Sequence, residues 1–101
     1  MKRWENLTID GKIFKVDTKN TASYPSKISF LTVDDVYGRP SQTKRAIFDS
    51  WDNWFRKNGG YCEIDSYNTF QFTLKGVVQD EVGKFYKAYI TSTRQELTPI
   101  V

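Results

Sequence analysis

A chain of 101 residues, 39% hydrophobic and 16% aromatic, amounts to one ordinary domain with enough apolar material for one compact core. A single cysteine, Cys62, excludes an intrachain disulfide, and the absence of histidine removes the usual zinc ligand sets together with Ser-His-Asp and Cys-His catalysis. A net charge of +3 and a pI near 9.0 admit an anionic partner without demanding one.

No apolar run approaches the roughly 20 residues of a membrane span. The start, Met1-Lys2-Arg3-Trp4, leads into polar sequence rather than a signal-peptide core. The expectation is a cytoplasmic protein that does not associate with membrane.

In chain order, residues 4–17 place Asp10-Gly11 between two β-prone runs, the strongest short-range hairpin signal. Leu7 and Ile9 alternate on one strand and Phe14 and Val16 on the other, so these four can line one face. Residues 18–26 are polar, end at Tyr24-Pro25 and read as a loop. Residues 27–33, KISFLTV, read as a third strand with apolar side chains on both faces. Asp34-Asp35 and Gly38-Arg39-Pro40 break it.

Residues 41–60 carry the strongest pattern. Ile47, Phe48, Trp51, Trp54 and Phe55 fall on an arc roughly 120° wide at about 100° per residue, one apolar face of a helix. Arg45 with Asp49 and Asp52 with Arg56 pair across one turn on the polar side. Ser41 suits the N-cap, Lys57 the last turn, and Gly59 or Gly60 the left-handed stop. Exposed indole and phenyl rings need an apolar partner, and the sheet supplies it.

After the helix, residues 61–65 suggest a short strand and 66–68 a turn. Residues 69–78 alternate cleanly, with Phe70, Phe72 and Leu74 opposite in face to Gln71, Thr73 and Lys75. Residues 80–83 connect them to a returning strand at 84–93. Pro99 argues for an irregular tail over 94–101. The fold class is therefore α+β: one domain over residues 1–101, ordered ββ-β-α-β-ββ, with a mainly antiparallel sheet of five to six strands packed on one central amphipathic helix.

If Tyr86, Ala88 and Ile90 meet the helix, then Phe85, Lys87, Tyr89 and Thr91 point outward beside Gln71, Thr73 and Lys75. That gives aromatic rings between lysines, a surface on which unpaired bases stack while ammonium groups hold phosphates. The plainer alternative is that Phe85 and Tyr89 cover a second small core. Basic residues also gather by segment: residues 1–27 hold six Lys or Arg against three acids, and residues 58–82 hold one against four. Lys2, Arg3, Lys12 and Lys15 of the first hairpin, with Arg39, Lys44 and Arg45 near the helix start, form a candidate phosphate-binding edge; a solvated surface of paired charges is the alternative.

No catalytic constellation emerges. Asp34-Asp35 and the pair Glu63 and Asp65 are carboxylates of the kind that hold Mg²⁺, yet no Gly-rich phosphate loop and no nuclease spacing accompany them. Cys62 reads as a small buried hydrophobe. Trp51 and Trp54 read as core, with an interface or homodimer contact as the alternative.

Size, basicity, paired hairpins and the missing catalytic groups resemble the small accessory proteins carried by phages, plasmids and other mobile elements, a likeness that transfers no residue role. The expected function is nucleic-acid binding, DNA ahead of RNA, with neither metal nor cofactor. The alternative is a protein-interaction module or inhibitor.

Overall fold

Asp10 and Gly11 both take positive φ, 43° and 79°. A type I′ turn requires that pair, and it joins β1 (Trp4–Ile9) to β2 (Lys12–Asp17) as a two-residue hairpin. Leu7 stands opposite Phe14, and Glu5 opposite Val16. The expected apolar face forms, with Ile9 and Phe14 buried and Leu7 and Val16 packed against them.

The computed structural model describes residues 2–24, 42–67 and 72–101. The strand expected at 27–33, Asp34-Asp35, Arg39, the Ser41 cap, Phe70 and Gln71 lie outside the described residues.

Helix α1 (Gln42–Lys57) follows, with Arg56 and Lys57 in its last turn, where cations complement the helix dipole. Gly59 takes φ 76°, and the Gly60 N–H donates to the Phe55 carbonyl at 2.9 Å. This is a Schellman closure, and it turns the chain into β3 (Tyr61–Tyr67). Gly60 is also required for space, since a Cβ there would lie 1.5 Å from the Val77 carbonyl oxygen.

Strands β4 (Phe72–Gln79), β5 (Phe85–Ile90) and β6 (Gln95–Pro99) complete, among the described residues, a six-stranded sheet in the order β1-β2-β6-β5-β4-β3. Every neighbouring pair is antiparallel except β2 with β6. The architecture is α+β, a mixed and mostly antiparallel sheet packed on a helix. At the β4–β5 turn, the Asp80 carboxylate accepts from the Val82 and Lys84 N–H groups and from the Tyr86 hydroxyl.

The tail departs from expectation: residues 95–99 form a strand in the middle of the sheet. Leu97 is fully buried between Val16 and Ala88. Pro99 does not break the ladder, because the Ile100 N–H donates to the Phe85 carbonyl and so the neighbouring Pro99 nitrogen faces away from β5. It points to where β2 has already ended at Asp17, and no ladder bond is lost.

The core lies under the C-terminal half of α1. Trp54 packs edge-on against Phe55 at 5.2 Å between ring centroids and at a tilt of 38° against Phe14 at 5.4 Å, and Trp51 joins at 5.7 Å from Trp54. The buried indole of Trp54 donates its N–H to the Asp10 carbonyl at 3.2 Å. Phe55 fits because Gly76 lies beneath it in β4: a Cβ there would stand 3.1 Å from the Phe55 ring and 2.1 Å from the Tyr61 carbonyl oxygen. Both tryptophans thus follow the core reading, while Ile47, on the same helical arc, stays 47% exposed.

Trp54→Ala is expected to lower the unfolding free energy by about 3–5 kcal/mol, and Ile47→Ala by about 0.5 kcal/mol, in urea titrations followed by circular dichroism. Equal losses at the two positions would contradict this placement of the core.

Candidate nucleic-acid interface

Because α1 covers one face of the sheet, the alternation of each strand decides what the other face carries. On the helix side, Ile90 stands opposite Leu74, Ala88 opposite Gly76 and Tyr86 opposite Val78, all buried. Phe85, Lys87 and Tyr89 take the far face, as the alternation predicts. Tyr89 is 42% exposed there and Lys87 is exposed.

One row of side chains crosses all six strands on this far face. Asn6 stands opposite Lys15, Lys15 beside Glu96, Glu96 opposite Tyr89, Tyr89 opposite Lys75, and Lys75 opposite Glu63. At the usual spacing of about 4.8 Å between strands, Lys15 and Lys75 are about 15 Å apart with Tyr89 between them. Beyond Lys15 the face deepens into a groove of about 600 Å³ lined by Trp4, Asn6, Ile13, Lys15, Arg94 and Glu96, among others. The turn after β5 positions Arg94: the Thr91 hydroxyl accepts from the Thr93 and Arg94 N–H groups, and the Thr91 N–H donates to the Arg94 carbonyl.

The structure divides the residues that sequence reasoning had grouped. Lys15, Lys87 and Tyr89 share the open strip, and Lys15 and Lys87 form no ion pair among the described residues. Lys75 borders the strip but is paired with Asp65 at 2.7 Å, and that hydrogen bond raises its pKa above the ordinary lysine value. Phe85 is half-buried, its ring met edge-on by Tyr24 at 5.7 Å, because the bridge between Ala22 and Ile100 brings the chain after β2 alongside β6. Val77, opposite Lys87, is 1% exposed, and Thr73 and Thr91, expected to face outward, are buried too, so β4 at Thr73 and Val77 and the end of β5 are covered on this side and the exposed part narrows to the strip around Lys87 and Tyr89.

Lys12 leaves the edge altogether. Its position and that of Lys15 have opposite parity along β2, and Lys12 turns to the helix side, with its ammonium 4.3 Å from the centre of the Trp51 ring system. Lys44 and Arg45 belong to α1, in the layer on the other side of the sheet. Lys2 is exposed beside the hairpin.

Arg3 is taken up structurally. Its guanidinium donates twice to the Asp17 carboxylate, at 3.4 and 3.1 Å, and lies 5.2 Å from the centre of the Trp4 ring system. Hydrogen bonds from Arg3, the Asn20 amide and the Lys19 N–H hold Asp17 well below the usual carboxylate range, at about 2.

Glu63 and Asp65 do share a side of β3, but the register shift between Ile64 and Ser66 makes Asp65 a bulge, and the Lys75 ammonium meets it. Cys62 is fully buried; burial, then the Asp52 and Glu63 carboxylates, push its thiol up to about 12, which leaves it unreactive. Among the described residues no helix is long and apolar enough to cross a membrane.

Trp4, Arg94 and Glu96 escaped the sequence reading, the last two because they fall in the tail. The signal that reveals them is the alternation of Gln95 and Leu97 with Glu96 and Thr98. Compared with protein-family models, curated proteins and solved structures, the chain matches none.

A lowered carboxylate pKa in the folded state stabilises above the unfolded value of about 3.9, and that stabilisation is lost as pH falls through about 2. Asp17→Asn is therefore expected to lower the melting temperature at pH 7 and to flatten its fall between about pH 4 and pH 2, read by thermal denaturation. An unchanged acid slope would show that the Arg3 pair does not form.

Proposed function

We propose that the protein binds single-stranded nucleic acid along the exposed strip of the far face that holds Lys15, Lys87 and Tyr89, with DNA as the first ligand to test. The observation that carries this reading is Tyr89, a half-exposed ring at the centre of the sheet with Lys87 two residues before it and Lys15 in its transverse row. An aromatic ring offers a stacking surface to any base, and the surrounding cations favour the backbone. A duplex keeps its base faces covered, so the geometry suits unpaired bases. No catalytic step is assigned. The size and basicity that suggest an accessory factor of a phage or plasmid agree with this role.

A second reading, a protein-binding module, is favoured by Ile13, 63% exposed at the groove, and by Glu96, Glu63 and Asp65 interleaved with the cations. Partners recovered from lysate after nuclease treatment would support that reading over the first.

Fluorescence anisotropy with labelled single- and double-stranded oligonucleotides, at about 50 mM and about 200 mM salt, separates the cases. Single-strand binding that weakens with salt is expected. Tyr89→Ala should weaken it about tenfold. Lys87→Ala should weaken it and reduce the salt slope by about 0.7. Absence of binding to either form at the lower salt would remove the proposal.

A further inference from the structure

Glu96 is an unexpected residue for the middle of a phosphate-binding face. It stands between Lys15 and Tyr89 in the transverse row, 3.8 Å from the Arg94 guanidinium, and it lines the groove that Trp4 also lines. A carboxylate there repels phosphate. It also accepts hydrogen bonds and donates none. A strand crossing this face would therefore keep its phosphates toward Lys15 and Lys87, and would present to Glu96 a group rich in donors.

We propose, on the basis of the single-strand reading above, that the groove takes one unpaired guanine, with Trp4 in its wall and Glu96 as the group that selects the base. Guanine alone among the common bases offers two adjacent donors on its pairing edge, N1–H beside the N2 amino group, and these match the two oxygens of one carboxylate. Thymine and uracil offer one donor between two acceptors, and cytosine and adenine offer an amino group next to an acceptor nitrogen. Those acceptors would face a carboxylate that has no proton to give. Asn6, across β1 from Lys15, supplies an amide that can donate to the guanine O6 edge. A volume of about 600 Å³ lies within the range of sites that hold small organic ligands.

The test uses the full chain and a short labelled oligothymidine carrying one central guanine, hypoxanthine, adenine or cytosine, with binding read by anisotropy at low salt. The guanine oligonucleotide is expected to bind about tenfold more tightly than the all-thymine one, the size of a good bidentate contact. Hypoxanthine, which lacks the N2 amino group, should lose most of that advantage. In Glu96→Gln the ratio of guanine to thymine affinity should fall to about one, whereas a purely structural role would weaken both oligonucleotides alike and leave their ratio unchanged. Equal affinity for guanine and thymine oligonucleotides, or a guanine preference that survives in Glu96→Gln, overturns the assignment and leaves single-strand binding standing. If no oligonucleotide binds, the broader reading fails with it. The comparison of guanine with hypoxanthine needs no variant, so a folding defect in Glu96→Gln would not obstruct the test.

Discussion

The burial of two adjacent aromatic rings, Trp54 and Phe55, is the constraint on which the rest of the molecule depends. Neighbours on a helix point about 100° apart, so burying both requires a surface that wraps around the helix rather than a flat plate beneath it. Phe55 presses onto Gly76 in β4, while Trp54 reaches Phe14 and the Asp10 carbonyl in the first hairpin, near the opposite edge of the sheet. The indole N–H makes the second contact specific, since a buried donor without an acceptor would cost about 1–3 kcal/mol. Around the same turn, Asn58 and Lys57 hold the Asp10 carboxylate, so helix end and hairpin tip are tied by side chain and backbone together. With the helix committed to one face, the other face is left to the alternation of the strands.

Placement of the last strand has its own consequence. Since β6 sits between β2 and β5, the first hairpin joins the rest of the sheet only after the C-terminal residues arrive. The contacts of Leu97 with Val16 and of Pro99 with Ala22 join residues 81 and 77 positions apart in a chain of 101. Such pairings incur a large loop-closure entropy before they return any stabilisation, which marks a slow step in folding. They also bring Arg94 and Glu96, distant in sequence from Trp4 and Lys15, to the same groove.

What the sequence discloses follows the range of the interactions involved. Asp10-Gly11 dictates its turn through local backbone sterics, and the structure shows the positive φ at both residues. The helix declares itself because five apolar residues share one arc, and Tyr86, Ala88 and Ile90 declare their face by strict alternation. Strand order is a different matter. Nothing local in QELTP says that it will be central, and Pro99 argues against a strand until the end of β2 at Asp17 shows that its missing N–H has no partner to lose. The candidate interface suffers in the same way. Lys12 and Lys15 look alike in sequence and face opposite sides, and Lys75 looks available until the bulge at Asp65 brings a carboxylate to it.

Bulk charge is accordingly a poor guide to where a polyanion would lie. A net charge of +3 counts Arg3, Lys57 and Lys75 equally with Lys15 and Lys87, although the first three sit against Asp17, Asp10 and Asp65. An ion pair presents a dipole to an approaching phosphate, and at distances near the Debye length of about 8 Å its attraction largely cancels. The cations that matter are those whose neighbours in the register are neutral or at some remove. Lys87, between Thr98 and Val77, meets that condition. Lys15 meets it on its β1 side, toward Asn6, but not toward Glu96. The face is therefore patterned by sign rather than uniformly basic. On the single-strand reading proposed above, negative charge along a line with hydrogen-bond donors beside it is the ligand pattern that would match this arrangement of signs.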